Sequence, residues 1–102
     1  MYAYHATIFE FLPSIKEYGL KANFSSHLQE DFIFVEPDYE EAAIYLEKNQ
    51  GVMLRFLVEG IGHTKDGECV LWNTPEVSAK SITFEYNKNW LPLSQFDADI
   101  HK

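Results

Sequence analysis

One segment of the chain limits its fold more than any other. Residues 52–58, with the sequence VMLRFLV, carry apolar side chains at every position except Arg55. Neighbouring side chains in a strand point to opposite faces of the sheet, so a strand of this composition must be covered on both sides. We therefore expect the segment to be a central strand, with other parts of the chain packed on both of its faces.

Four further segments are expected to be strands. They combine β-branched or aromatic residues with short length and polar boundaries, and they are residues 2–7 (YAYHAT), 32–35 (FIFV), 68–73 (ECVLWN) and 80–86 (KSITFEY). In the last segment Ile82, Phe84 and Tyr86 alternate with polar residues, so one face of that strand is expected to meet solvent. The apolar tail at 90–96 is expected to pack across the sheet.

Two short helices are indicated by the residues at their ends. Pro13 suits a first helical turn and Gly19 a helix end, which predicts a helix at 13–19. A second helix is predicted at 37–49, because proline and acidic residues stand at its start and a glycine follows its end. Its buried stripe is expected to consist of Tyr39, Ala42, Ala43 and Leu46. The polar segment at 21–31 is expected to be a loop.

The size of the chain sets the number of domains. It has 102 residues, of which 46% are hydrophobic, which is enough for one packed core and too few for two. We therefore expect a single domain spanning residues 1–102. The order of the segments predicts an α+β fold, with a mixed or antiparallel sheet of about five strands and two short helices.

The cysteine and histidine content bears on the compartment and on metals. Cys69 is the only cysteine, so no internal disulfide can form, and a reducing cytoplasm fits best. The four histidines stand too far apart in sequence for a recognised zinc pattern, so no metal is expected. No segment approaches the roughly 20 apolar residues of a membrane span, so no membrane partner is expected.

The net charge limits the class of partner. Sixteen Asp and Glu residues against eight Lys and Arg give a formal net charge of −8. This field opposes a phosphate backbone, which makes nucleic acid a less favoured partner than protein, although a local basic patch can still bind it. The same charge suits docking on a basic surface, or it serves only to keep the protein soluble.

Four motifs occur along the chain in a recognisable order: YHAT on the first strand, YGL at the end of the first helix, FIFVEPDYEEAAIYL, and ECVLWNTPEVSAKSI. In this order they resemble the ADP-ribosyltransferase fold of the diphtheria-toxin and poly(ADP-ribose) polymerase branch. The resemblance covers most of residues 2–83. It implies a split sheet that binds NAD, as a substrate, in the cleft between its two halves.

The resemblance also implies which residues hold NAD. His5 falls on the family histidine, which bonds the 2′-hydroxyl of the nicotinamide ribose, and the backbone of Ala6 falls where the family holds the carboxamide. Phe34 and Tyr45 fall on the two aromatic residues that enclose nicotinamide between their rings. Lys21, in the motif YGLKAN, falls near the expected diphosphate.

For catalysis, the resemblance implies that Glu68 is the catalytic glutamate and that His5 assists it by orienting the ribose. The chemistry asks for the same residue types. Breaking the N-glycosidic bond leaves positive charge on the ribose carbon, and a fixed carboxylate stabilises that charge as it develops. A neutral imidazole positions a hydroxyl by accepting its hydrogen bond.

Each of these residues also has an ordinary structural interpretation. His5 can be a hydrogen-bonded histidine of the core, Tyr45 an aromatic at the edge of a helical stripe, and Glu68 the exposed start of a strand. If the register of the motif is different, Asp66 takes the place of Glu68. Cys69 is interpreted as a small buried side chain rather than a nucleophile, because no histidine is placed to activate it.

Two functions remain open from the sequence. The first is a small ADP-ribosyltransferase-like protein that binds NAD and transfers ADP-ribose to a macromolecular target, which we expect to be a protein. The alternative is a non-enzymatic acidic protein that docks on, and inhibits, a basic partner that handles nucleic acid. Ala6 and Phe34, which stand where the family has glycine and tyrosine, favour the alternative. The oligomeric state is open.

Overall fold

The computed structural model describes residues 1–22, 32–71 and 74–101. The described residues form nine short strands: β1 (Tyr2–Ile8), β2 (Leu20–Lys21), β3 (Ile33–Phe34), β4 (Gly51–Leu57), β5 (Gly62–His63), β6 (Cys69–Leu71), β7 (Glu76–Val77), β8 (Thr83–Tyr86) and β9 (Asn89–Pro92). The same residues form three short helices: α1 (Leu12–Tyr18), α2 (Tyr39–Ala43) and α3 (Ala98–His101). Single 3₁₀ turns occupy Phe9–Phe11, Ala79–Ser81 and Leu93–Gln95.

The strands pair in three antiparallel sheets. A four-stranded sheet has the order β1-β4-β8-β9, a three-stranded sheet has the order β3-β6-β5, and β2 pairs with β7. A single bridge between Tyr4 and Glu36 joins the edge of the first sheet to the chain just after β3. The prediction of an α+β fold with a mostly antiparallel sheet is confirmed.

Strand β4 lies at the centre of the structure, as its composition predicts. Leu54 and Phe56 point into the main core, where they join Phe84 of β8. On the opposite face Met53 is also buried. Helix α2 packs on that face, where the ring of Tyr39 meets the ring of Tyr4 edge-on at 6.0 Å. Material on both sides of β4 therefore excludes water from most of the strand.

The predicted strand number, about five, is too low. Strands β2, β5 and β7 are two residues long, so they carry no apolar alternation that could reveal them. Strand β9 was expected only as a packed tail, and it pairs with β8 through a two-residue turn. Asn87 and Lys88 of that turn both have positive φ, which is the backbone geometry of a tight hairpin.

The predicted helix at 37–49 is also wrong in extent, because α2 ends at Ala43. Beyond it the amide groups of Tyr45 and Leu46 donate to carbonyls three residues back, which tightens the chain into turns. Gly51, which was expected to end the helix, instead opens β4 opposite Ile8.

The other predicted element boundaries lie closer to the observed ones. Helix α1 ends at Tyr18, and Gly19, which follows it as expected, has a positive φ of +79° that glycine adopts without a steric penalty. Residues 79–81 form a 3₁₀ turn rather than the start of a strand, and Leu93 and Phe96 of the tail are buried as expected. Lys21 lies in β2 instead of a loop. The rest of that predicted loop from residue 23, and the last two residues of the predicted strand at 68–73, fall outside the described residues.

Candidate functional site

The chain at and just after β3 approaches β1 along a short line that we call the seam, defined by Tyr4, His5, Phe34 and Glu36. Tyr4 and Glu36 exchange two backbone hydrogen bonds, each with an N–O distance of 2.9 Å. One residue further along β1, Nδ1 of His5 lies 2.7 Å from the carbonyl oxygen of Phe34. The seam therefore brings together two predicted NAD-binding residues that are 29 positions apart in sequence.

The hydrogen bond at the seam fixes the tautomer of the neutral His5 ring. A carbonyl oxygen only accepts, so Nδ1 donates the proton and Nε2 carries the free lone pair. Burial lowers the pKa of His5 below its ordinary value, and the bond to Phe34 opposes this effect only in part. At neutral pH the side chain is an uncharged imidazole with Nε2 as an acceptor.

The position of His5 follows from the strand it occupies. It lies opposite Leu54 in the β1–β4 ladder and shares its face of the sheet with Ala3, which is fully buried. Ala6 follows it opposite Met53 and points to the other face. An imidazole on a core-facing position needs a hydrogen-bond partner, and the backbone of β3 supplies one.

The other three predicted site residues lie on exposed parts of the surface. Tyr45 is in the turn after α2 with 67% of its side-chain surface exposed. Glu68 is exposed just before β6, where its backbone amide donates to Oγ1 of Thr64 at 3.2 Å. Lys21 is exposed in β2, and within the described parts of the chain no hydrogen bond or ion pair joins any of the three to His5 or Phe34.

Lys21 already has a partner of opposite charge. Its Nζ lies 3.9 Å from Oε2 of Glu76, and both side chains are largely exposed. The same ammonium group lies 5.8 Å from the centre of the Tyr18 ring. Both contacts are weak at an exposed site, so Lys21 can leave them for a stronger anion.

Sequence reasoning missed a group of acids beside the seam. Burial raises the pKa of Glu36, and a hydrogen bond and the negative charge of Glu41 raise it further, whereas a hydrogen bond from Cys69 lowers it. Burial also raises the pKa of the Cys69 thiol, with the charges of Glu36 and Glu41 adding to the effect. The thiol is therefore protonated at neutral pH, which opposes a nucleophilic role. The contact follows from the pairing of β3 with β6, which sequence spacing does not reveal.

A separate open cleft of about 620 Å³ lies where the end of β4 approaches β6 and β7. Its walls are mainly apolar, and its ionisable lining residues are Glu59 and Glu76. None of the residues predicted to bind NAD lines this cleft. An acidic cleft of this kind suits a cationic group rather than a diphosphate.

Within residues 1–22, 32–71 and 74–101, no group of three or more His, Cys, Asp or Glu side chains is placed to hold a metal ion. No helix in those ranges is long and apolar enough to cross a bilayer. No protein family, curated protein or solved structure matches the chain.

Proposed function

We propose that the protein is a small ADP-ribosyltransferase-like enzyme that binds NAD at the seam and transfers ADP-ribose to a macromolecular target, most simply a protein. The observation that carries the proposal is the contact between His5 and Phe34. These are the residues that the motif order assigns to the ribose and to the nicotinamide ring. They meet at the seam, and burial there favours the neutral form of His5.

In this proposal the residues have separate roles. Nε2 of His5 accepts a hydrogen bond from a ribose hydroxyl and thereby orients the sugar. The ring face of Phe34 contacts nicotinamide, and Tyr45 supplies the second ring by moving from its exposed position. Lys21 exchanges Glu76 for the diphosphate.

The chemical step needs one anion near the ribose. The N-glycosidic bond breaks, its electron pair leaves with nicotinamide, and positive charge develops on the ribose carbon. The carboxylate of Glu68 stabilises this charge, and the acceptor forms the new bond while losing a proton. The exposure of Glu68 in the free protein leaves it accessible to both NAD and acceptor.

The proposal is tested by incubating the purified protein with labelled NAD and cell lysate. We expect label transfer by the wild type and its loss in Glu68→Ala and Glu68→Gln. Asp66→Asn is the matched control, because it removes the same charge two residues away on an equally exposed turn. Transfer that survives in Glu68→Gln but is lost in Asp66→Asn moves the catalytic role to Asp66. Absence of transfer and of NAD binding in the wild type refutes the proposal.

The acidic surface favours a second candidate function, docking on a basic partner. Among the described residues the only ion pair is the one between Lys21 and Glu76, so most carboxylates are available to a partner. The cleft provides apolar walls next to two carboxylates, of which Glu76 is paired with Lys21 and Glu59 has no ion pair among the described residues. If this function holds, a lysine-rich peptide binds the wild type in a salt-sensitive way and binds Glu59→Gln less well. If the protein transfers ADP-ribose but does not bind the peptide, this second function is excluded.

A further inference from the structure

The face of the four-stranded sheet opposite His5 carries the only arginine of the chain, Arg55. Arg55 pairs with Tyr4 in the β1–β4 ladder, whereas His5 pairs with the neighbouring Leu54. Successive residues of a strand point to opposite faces, so the two side chains lie on different sides of the sheet. Whatever Arg55 binds is therefore bound on the side of the sheet away from the His5 ring.

The guanidinium group of Arg55 is held by two aromatic rings. Its Cζ atom lies 4.2 Å from the centre of the Tyr2 ring and 4.3 Å from the centre of the Trp90 ring. The rings come from β1 and β9, on opposite sides of β4. Tyr4 and Tyr39 pack against Trp90 with ring centres 6.1 and 6.3 Å away, which restrains it. Cation–π contacts on two sides fix the plane of the guanidinium group before any ligand arrives.

Arg55 nevertheless has no anionic partner in the described structure. Its Nε is a buried atom without a hydrogen-bond partner, and its side chain makes no ion pair with a described carboxylate. The two Nη atoms have no partner either and are not among the buried atoms, so they reach solvent. An acid on the same face, Glu85, accepts a hydrogen bond from the hydroxyl of Tyr39 instead. None of the acidic residues that the structure describes forms an ion pair with this arginine.

The surroundings of Arg55 limit the class of ligand. Tyr2 and Leu57 lie directly opposite each other on the same face and are 43% and 67% exposed, which offers apolar surface beside the cation. A planar fork of donors matches a carboxylate in a bidentate arrangement. The net charge of −8 disfavours a dianion such as phosphate more than a single negative charge.

We propose that Arg55, held between Tyr2 and Trp90, is a binding site for a small molecule that carries one carboxylate on an apolar body. The carboxylate accepts hydrogen bonds from the guanidinium group, and the apolar body lies over Tyr2 and Leu57. The site is independent of NAD and of the proposed transfer reaction.

The single arginine makes the test direct, because the chain has one arginine Nε–H signal in a proton–nitrogen NMR spectrum. Phenylacetate is the probe, and phenylacetamide, which has the same shape without the charge, is its control. We expect phenylacetate to shift the Nε–H signal in a saturable way and phenylacetamide not to shift it. Inorganic phosphate is expected to bind more weakly than phenylacetate. A larger response to phosphate, or an equal response to the amide, contradicts the assignment.

Two variants distinguish bidentate hydrogen bonding by the guanidinium group from attraction by positive charge alone. Arg55→Lys keeps the cation and is expected to weaken phenylacetate binding by about tenfold, measured from the signals of the ligand. Lys65→Gln removes an exposed cation elsewhere and is expected to leave the affinity unchanged. A thermal unfolding transition in each variant establishes that it is folded. Equal affinity in the wild type and Arg55→Lys overturns the proposal, and NAD binding has no bearing on the outcome.

Discussion

His5 is the residue on which the account of the seam depends. It is an ionisable side chain on a core-facing position of β1, and its hydrogen bond to the carbonyl of Phe34 compensates for part of the burial. Burial disfavours the charged imidazolium, which is why the pKa is lowered. The free Nε2 is the only part of the ring left for a ligand.

The lowered pKa of His5 predicts how stability changes with pH. The unfolded chain takes up a proton near 6.5, whereas folded His5 resists protonation. The free energy of unfolding contributed by this residue is therefore complete above that pH and is lost as the pH falls toward the folded pKa. His5→Asn, whose amide can replace the Nδ1 donor, should show a smaller loss between about pH 7 and pH 5. Chemical denaturation at both pH values measures it, and equal losses would show that His5 does not titrate in this range.

Tyr45 allows a clean separation of binding from stability. Two thirds of its side chain are exposed, so Tyr45→Ala should change the free energy of unfolding by less than about 0.5 kcal/mol. If the ring encloses nicotinamide, the same substitution raises the dissociation constant of NAD, whereas Tyr45→Phe keeps the ring face and the affinity. An unchanged constant in Tyr45→Ala removes this residue from the site.

At the level of residues, the sequence identifies side chains better than it identifies their partners. His5 and Phe34 are named by the order of the motifs, but the atom that His5 contacts is a backbone carbonyl. That contact depends on how β3 is aligned with β1, and alignment between distant strands leaves no local signal. The grouping of Glu36 and Glu41 with Cys69 escapes the sequence for the same reason.

Helix α2 is anchored to the sheet by a short polar contact. The hydroxyl of Tyr39 donates to Oε1 of Glu85, which holds the start of the helix over β8. Tyr39→Phe should lower the free energy of unfolding by roughly 1 kcal/mol, because one hydrogen bond to a carboxylate is lost. Tyr18→Phe, which removes the hydroxyl of an exposed tyrosine, is the control and should have little effect.

The same contact raises the pKa of Tyr39 from 10.0 to about 12, first through its hydrogen bond to Glu85. Its contribution to stability is therefore retained below pH 10 and lost as the pH rises toward 12. The difference in phenolate absorbance between wild type and Tyr39→Phe isolates this titration. A difference curve with its midpoint at 10 would contradict the contact.

The end of α1 depends on a close approach that only glycine permits. A Cβ atom at Gly19 would lie 2.3 Å from the carbonyl oxygen of Val77, within the β2–β7 pair, and the φ of Gly19 is +79°. Gly67 has a similar φ of +82° with nothing within 4 Å of such a Cβ. Gly67→Ala should therefore cost about 1–2 kcal/mol from backbone strain alone, and Gly19→Ala clearly more. Equal costs in denaturant unfolding would show that the approach to Val77 is not tight.

At the level of elements, length decides what can be predicted. Strand β4 has a long apolar run, and α1 has a proline near its start and a glycine after its end, so both can be recognised in the sequence. Both are found close to where they are expected. Strands β2 and β7 have two residues each and pair with one another from distant parts of the chain, so their own residues carry no periodic signal. Helix α2 ends at Ala43, short of the predicted residue 49, and the amide groups of Tyr45 and Leu46 close turns with carbonyls three residues back instead of continuing the helix.

On the scale of the whole molecule, the four-stranded sheet separates two sets of polar contacts. One face carries His5 and joins the second sheet at the seam, and the other carries Arg55 among aromatic rings. The negative charge of the chain acts on both. It weakens the attraction for the diphosphate of NAD at the first face and disfavours dianions at the second. Salt screens both repulsion and attraction between charges. Rising salt should therefore increase the affinity for NAD and lower the affinity of Arg55 for a carboxylate.

The class of the fold follows from composition and the order of patterns, because one central strand and alternating short elements leave few arrangements. The way the two sheets approach each other, in contrast, depends on the packing of the whole molecule. It places His5 against β3 and leaves Tyr45 and Glu68 on exposed turns, which no local pattern distinguishes from a closed site.

Calorimetric titration of NAD into the wild type, His5→Asn and Glu68→Ala tests the central claim most directly. We expect saturable binding to the wild type, weaker binding to His5→Asn because Nε2 is lost while the contact with Phe34 is kept, and retained binding to Glu68→Ala. Wild-type protein that takes up no NAD, or a His5→Asn variant that binds it as tightly, would contradict the placement of NAD at the seam.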